Sequence, residues 1–158
     1  MHRYINMNIK NNELTGQNIL VCDDNEITRD SLRRIFELQG ARVYSTGHLE
    51  KASSVLSSLL SRGNLPTLII TDIKLPGMYG LDVLRQFQDV LGRCKVPILL
   101  ISLGLSDFVL TRASLYGVVG YAQKPILIKD LFAFSMEIIE AHKCAGFKAK
   151  SLFEKNAA

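Results

Sequence analysis

Between Asn18 and His142 the chain alternates short apolar runs with longer segments of helical period, five times over, and few folds accept that pattern. The runs NILVCD at 18–23, ARVYST at 41–46, TLIITD at 67–72, VPILLIS at 96–102 and VVGYA at 118–122 read as strands. Helical periodicity follows each of them, over 26–39, 48–61, 80–92, 106–116 and 128–143. Strands joined by crossovers of this length run parallel, and near-continuous apolar runs belong to strands covered on both faces. The predicted fold is therefore α/β, a doubly wound five-stranded parallel sheet with helices on both faces. Turn chemistry supports the boundaries: Gly40 ends the first helix, Gly63 and Pro66 precede the third strand, and Pro76-Gly77 breaks the chain just after it.

A chain of 158 residues, 47% of them hydrophobic, buries one core without metal or disulfide staples. Three cysteines, Cys22, Cys94 and Cys144, are an odd number spaced too widely for a ligand pair, and read as free thiols in a reducing compartment. No run approaches the roughly 20 apolar residues that cross a bilayer, and the polar N-terminus lacks a secretory signal. These features predict a soluble cytoplasmic protein with no membrane contact. The net charge of +4 lies at the ends: residues 18–142 carry 13 basic and 13 acidic side chains. A neutral core predicts no direct nucleic-acid contact by the domain. Residues 1–17 read as a flexible extension, 18–143 as the domain, and 144–158 as a basic extension or linker. Phe147, Leu152 and Phe153 give that last segment a spacing suited to docking or dimerisation.

In a doubly wound sheet, ligands bind beyond the carboxyl ends of the strands, where the strand order reverses. The first strand delivers Asp23 and Asp24 there, the third Asp72, the fourth Ser102, and Lys124 comes just past the fifth. Taken singly, Asp24 suits a helix cap, Asp72 a turn, and Ser102 and Lys124 ordinary surface. Together they place three carboxylates, a hydroxyl and an ammonium in one crevice. Crowded carboxylates repel, and one takes up a proton unless a cation compensates. A hard dication with oxygen ligands, Mg²⁺ by preference, fits such a site.

The set V-C-D-D-N-E at 21–26, T-D-I-K-L-P-G-M-Y-G at 71–80, L-L-I-S at 99–102 and Y-A-Q-K-P at 121–125 resembles a bacterial two-component response-regulator receiver, over about residues 18–142. The resemblance implies a flavodoxin-like fold of receiver type. It also implies a role for each matched residue. Asp72 is then the phosphoryl acceptor, and Asp24, Asp72 and the backbone carbonyl of Lys74 hold Mg²⁺, with Asp23 acting through water. Lys124 pairs with phosphoryl oxygens and is joined to Pro125 by a cis bond. Ser102 and Tyr121 form the switch, the hydroxyl drawn to the phosphoryl group and the aromatic ring turning inward. Such a domain is a phosphoacceptor that assists its own phosphorylation and slow dephosphorylation rather than an enzyme with turnover. Its implied partners are a sensor histidine kinase or phosphotransfer protein upstream, and a target protein or an effector domain absent from this chain downstream. A homodimer through the surface of the fourth helix, fifth strand and fifth helix is a further expectation.

Two residues depart from the family pattern. Leu103 is bulkier than the small residue usual after Ser102 and is expected to hinder water from reaching an acyl phosphate. Lys74 also faces the site in relatives and is expected to alter phosphorylation by small donors and hydrolysis. Two other functions compete with the receiver reading. One is a phosphorylation-independent pseudo-receiver used as a scaffold for dimerisation or docking, against which the retained acidic residues and Lys124 speak. The other is an aspartyl phosphatase, which lacks its acid because Lys74 stands two positions after Asp72.

Overall fold

The computed structural model describes residues 12–143. Its main elements are β1 (Asn18–Cys22), α1 (Glu26–Leu38), β2 (Arg42–Thr46), α2 (Leu49–Ser61), β3 (Leu68–Asp72), α3 (Leu81–Leu91), β4 (Ile98–Ser102), α4 (Asp107–Ala113), β5 (Val118–Gln123) and α5 (Ile128–Lys143). The five strands form one parallel sheet in the order β2-β1-β3-β4-β5. The strand order therefore reverses between β1 and β3, and a crevice opens at their carboxyl ends.

The sheet divides the interior in two because successive side chains on a strand point to opposite faces. Ile19 and Val21 of β1, Leu68 and Ile70 of β3, and Leu99 and Ile101 of β4 pack with Leu32 and Phe36 of α1 and with Leu131, Ile138 and Ile139 of α5. Their neighbours Leu20, Cys22, Ile69, Ile98 and Leu100 pack the other way, against Leu56 of α2, Val83, Leu84 and Phe87 of α3, and Ala113 at the end of α4. Phe36 and Phe132 meet edge to face at 5.3 Å between ring centroids.

Strand and helix positions match the sequence expectations closely, with one difference at the fourth helix. The expected 106–116 is an α-helix only over Asp107–Ala113 and tightens into a 3₁₀ turn at Ser114–Tyr116. The last turn of a helix often tightens in this way, and here it runs into Gly117, whose φ of +84° ends the helical path.

A second difference lies in the leader. Of the extension expected to be flexible, the described part is fixed: Leu14 is fully buried on the α1/α5 side of the sheet. Its N–H donates to the Gln39 carbonyl at 2.9 Å, and the Gln17 carbonyl accepts from Arg42 N–H at 2.8 Å. Gly40 makes room for this clasp. It has φ +85°, and a Cβ there would stand 2.7 Å from Thr15 Oγ1. Burying one leucine side chain is worth about 2 kcal/mol, which adds to these main-chain hydrogen bonds in holding the segment. Residues 1–11, and the segment 144–158 with Phe147, Leu152 and Phe153, lie outside the described residues.

Candidate functional site

The register of the sheet assembles the site. Cys22 pairs with Thr71, so the next residues, Asp23 and Asp72, stand side by side at the ends of β1 and β3. Asp72 pairs in turn with Ile101, and Ser102 with Gln123, which sets Ser102 and Lys124 one step further along the crevice. Asp23, Asp24 and Asp72 each offer a carboxylate oxygen within 4.8 Å of the others. Lys124 Nζ bridges two of them, at 2.7 Å from Asp23 Oδ2 and 2.9 Å from Asp72 Oδ2.

Main-chain donors fix the remaining oxygens. Asp23 Oδ1 accepts from Asn25 N–H at 2.8 Å, and Asp72 Oδ1 from Lys74 N–H at 2.9 Å. Asp23 is fully buried, and burial pushes its carboxyl above the usual range, against the lowering effect of Lys124 and of the Asn25 N–H; neighbouring Asp72 adds to the rise. Burial works to lower the Lys124 ammonium, but hydrogen bonding and attraction to Asp23 and Asp72 outweigh it and its pKa is raised. Asp24 is exposed and points to no capping role: Asn25 Oδ1 caps α1 by accepting from Thr28 N–H at 3.1 Å. With one ammonium among three carboxylates the site is short of positive charge. Its donor set of clustered hard oxygens is the kind a small dication takes.

The stretch after Asp72 folds back as a two-residue hairpin, Lys74–Leu75 pairing with Met78–Tyr79. Pro76 and Gly77 form its turn, and Gly77 adopts φ +80°, which the second central position of a type II turn requires. The Gly80 N–H closes the loop on the Ile73 carbonyl at 3.0 Å. This loop aims the Lys74 N–H at Asp72.

A family model described as the response regulator receiver domain matches residues 19–134. The chain belongs to this receiver family. Among the receiver's relatives, AruR, a transcriptional regulatory protein of Pseudomonas aeruginosa, is 30% identical over 122 residues, which cover 77% of this chain and 48% of AruR. ARR21 of Arabidopsis thaliana is 35% identical over 115 residues, 72% of this chain and 18% of ARR21. The chain thus spans from about a fifth to about half the length of these curated relatives. A CheY-like receiver from Methanospirillum hungatei superposes with a TM-score of 0.68 at 22% identity, covering 80% of this chain and 96% of that one. A two-component response regulator from Clostridium difficile gives 0.67 at 20% identity, covering 81% and 99%. These likenesses show the flavodoxin-like α/β fold.

The receiver brings together Asp23, Asp24, Asp72 and Lys124, as the sequence led one to expect, and the Lys124–Pro125 bond is cis. Ser102 is buried at the end of β4, and its carbonyl accepts from Lys124 N–H at 2.7 Å. Tyr121 is half-buried with its hydroxyl oxygen already inside, facing the Leu105 N–H. Burial raises its phenol above the usual value, the Leu105 N–H opposes that, and Asp72 adds to it. Leu103 is 74% exposed beside Ser102, and Lys74 is exposed in the hairpin.

Sequence reading missed Arg29 and Gly47. Arg29 Nη1 donates to the Asp23 carbonyl at 2.7 Å and so anchors the acidic turn from α1. A Cβ on Gly47 would stand 2.9 Å from that nitrogen and 3.3 Å from the Asp23 carbonyl. Neither residue belongs to a local pattern; the β2–α2 turn and α1 meet only in three dimensions. Asn25 was readable, as an asparagine directly before a helical segment.

Proposed function

We propose that this receiver works in phosphorelay signalling by accepting a phosphoryl group on Asp72 from a histidine kinase or phosphotransfer protein. The observation that carries this reading is the meeting of Asp23, Asp24, Asp72 and Lys124, delivered from three strands, at the switch point of the sheet. In the transfer, an Asp72 carboxylate oxygen forms a bond to phosphorus as the bond from phosphorus to the donor imidazole nitrogen breaks. Lys124 and the Lys74 N–H keep the Asp72 carboxylate oriented for in-line attack. Positioning and charge neutralisation are what a loose phosphoryl-transfer transition state asks of a protein. Asp24, Asp72 and the Lys74 carbonyl would hold Mg²⁺, with Asp23 behind a water. When bound, that ion supplies positive charge to the phosphoryl oxygens. The chain acts as a phosphoacceptor switch, not as an enzyme with turnover.

Ser102 and Tyr121 carry the state of Asp72 outward to the face of α4, β5 and α5. α4 and the turn after it offer Phe108 and Leu115, 64% and 80% exposed, with the Arg112 guanidinium 4.8 Å from the Phe108 ring centroid. Exposed apolar area of this kind supports a homodimer or a target protein there. Ile27, Leu103 and Leu127 are exposed too, each within three residues of a site residue, and support docking of the phosphodonor over the crevice. Among the described residues no helix is long and apolar enough to cross a membrane, and Cys22 and Cys94 are free thiols. Both support a cytoplasmic site of action.

Incubation with Mg²⁺ and acetyl phosphate, followed by intact mass, tests the proposal. The parent is expected to gain one phosphoryl group and Asp72→Asn none. A phosphorylated Asp72→Asn would move the acceptor to another residue, and a parent that never reacts with any phosphodonor would leave the scaffold reading in its place.

A further inference from the structure

Residues 103–106 join β4 to α4, and this loop is held from β5. Gln123 Nε2 donates to the Leu103 carbonyl at 3.1 Å. A Cβ built on Gly104 would meet nothing within 4 Å except that same Nε2, at 3.8 Å, so the carboxamide lies along the loop. Two residues earlier, on the same face of the strand, the Tyr121 hydroxyl faces the Leu105 N–H. The main chain adds a third tie, from Lys124 N–H to the Ser102 carbonyl at 2.7 Å. Ser102 is thereby bounded: β5 holds its own carbonyl and the next one.

Gln123 is itself exposed, and it sits directly before the lysine that bridges Asp23 and Asp72. Nothing in its burial explains why its carboxamide should be spent on a loop carbonyl. The consequence for the site does. A serine hydroxyl that is to meet an oxyanion contributes most when the backbone carrying it is already in place, because ordering it at the moment of binding costs free energy.

We propose that Gln123 is a positioning residue for Ser102, fixing the Leu103 carbonyl so that the serine hydroxyl stands where a phosphoryl group on Asp72 can reach it. The inference rests on Asp72 as the acceptor. It concerns the loop alone and leaves the three carboxylates untouched.

Beryllofluoride titrations in saturating Mg²⁺, on the parent, Gln123→Ala and Gln123→Met, test it. Methionine keeps the length of the side chain and lacks an N–H donor. Both variants are expected to half-saturate at about threefold higher beryllofluoride, the worth of one modest hydrogen bond. Their affinity for Mg²⁺ alone, read by calorimetry, is expected to equal the parent's. A Gln123→Met that titrates like the parent would reduce the residue to packing, and a Mg²⁺ affinity that shifts by the same factor would mean general damage; either overturns the inference. A parent that takes no beryllofluoride would instead sink the Asp72 reading on which it stands.

Discussion

The two ends of the sheet are built on opposite terms. At the amino end, strand entries are closed by uncharged bonds: Thr67 N–H to the Asn18 carbonyl at 2.8 Å, Ile69 N–H to Pro97 at 3.0 Å, Ile98 N–H to Gly117 at 3.1 Å, and the Leu14 clasp over the α1–β2 turn. At the carboxyl end, buried Asp23 and Asp72 share a single ammonium with exposed Asp24 beside them. One end contributes stability; the other holds charge that folding would rather leave in water. A sheet can tolerate such an end because its opposite end and both faces are so well satisfied.

Three changes sharpen or break that contrast, the largest first. Leu14→Ala is expected to lose about 3 kcal/mol in urea unfolding, the range of a leucine truncated in a core, with phosphoryl uptake unchanged. If uptake fell with stability, the two ends would be coupled and the contrast lost. Asp23→Asn, without added metal, is expected to go the other way, with higher stability at neutral pH in urea unfolding. The folded Asp23 carboxyl sits above the usual range, so the folded protein keeps a proton that the unfolded chain has already released. Its ionised form therefore costs stability above that window, and the cost disappears as pH falls below the ordinary aspartate range. The gain of the asparagine variant should shrink on acidification, and a gain that grows instead would reverse the sign of the argument for Asp23. Leu103→Ala is the smallest: phosphoryl loss is expected to quicken about threefold, less than 1 kcal/mol of barrier, and an unchanged lifetime would remove Leu103 as a screen against water.

The strands were legible because side chains buried on both faces leave runs such as Leu68–Ile70 and Ile98–Ile101 almost unbroken. The site was legible for a related reason: β3 and β4 end on Asp72 and Ser102, and β1 and β5 are followed directly by Asp23 and Lys124, so placing the strands placed the candidate residues. Leu14 was not legible. A lone leucine in a polar leader carries no periodicity, and its burial depends on α1 and α5, which come later in the chain. Arg29 and Gly47 share that difficulty, since the guanidinium on the Asp23 carbonyl and the glycine that leaves it room come from elements that no local pattern connects. The shortened α4 shows a further limit, because its pattern continues through Tyr116 although the backbone has already tightened into a 3₁₀ turn at Ser114.

The sheet works as a bulkhead between two sealed chambers, one roofed by α1 and α5, the other by α2, α3 and α4. Volume errors on one side need not be repaired on the other. Each chamber can therefore drift or be redesigned at its own pace, while the crevice at the shared rim is inherited by every version.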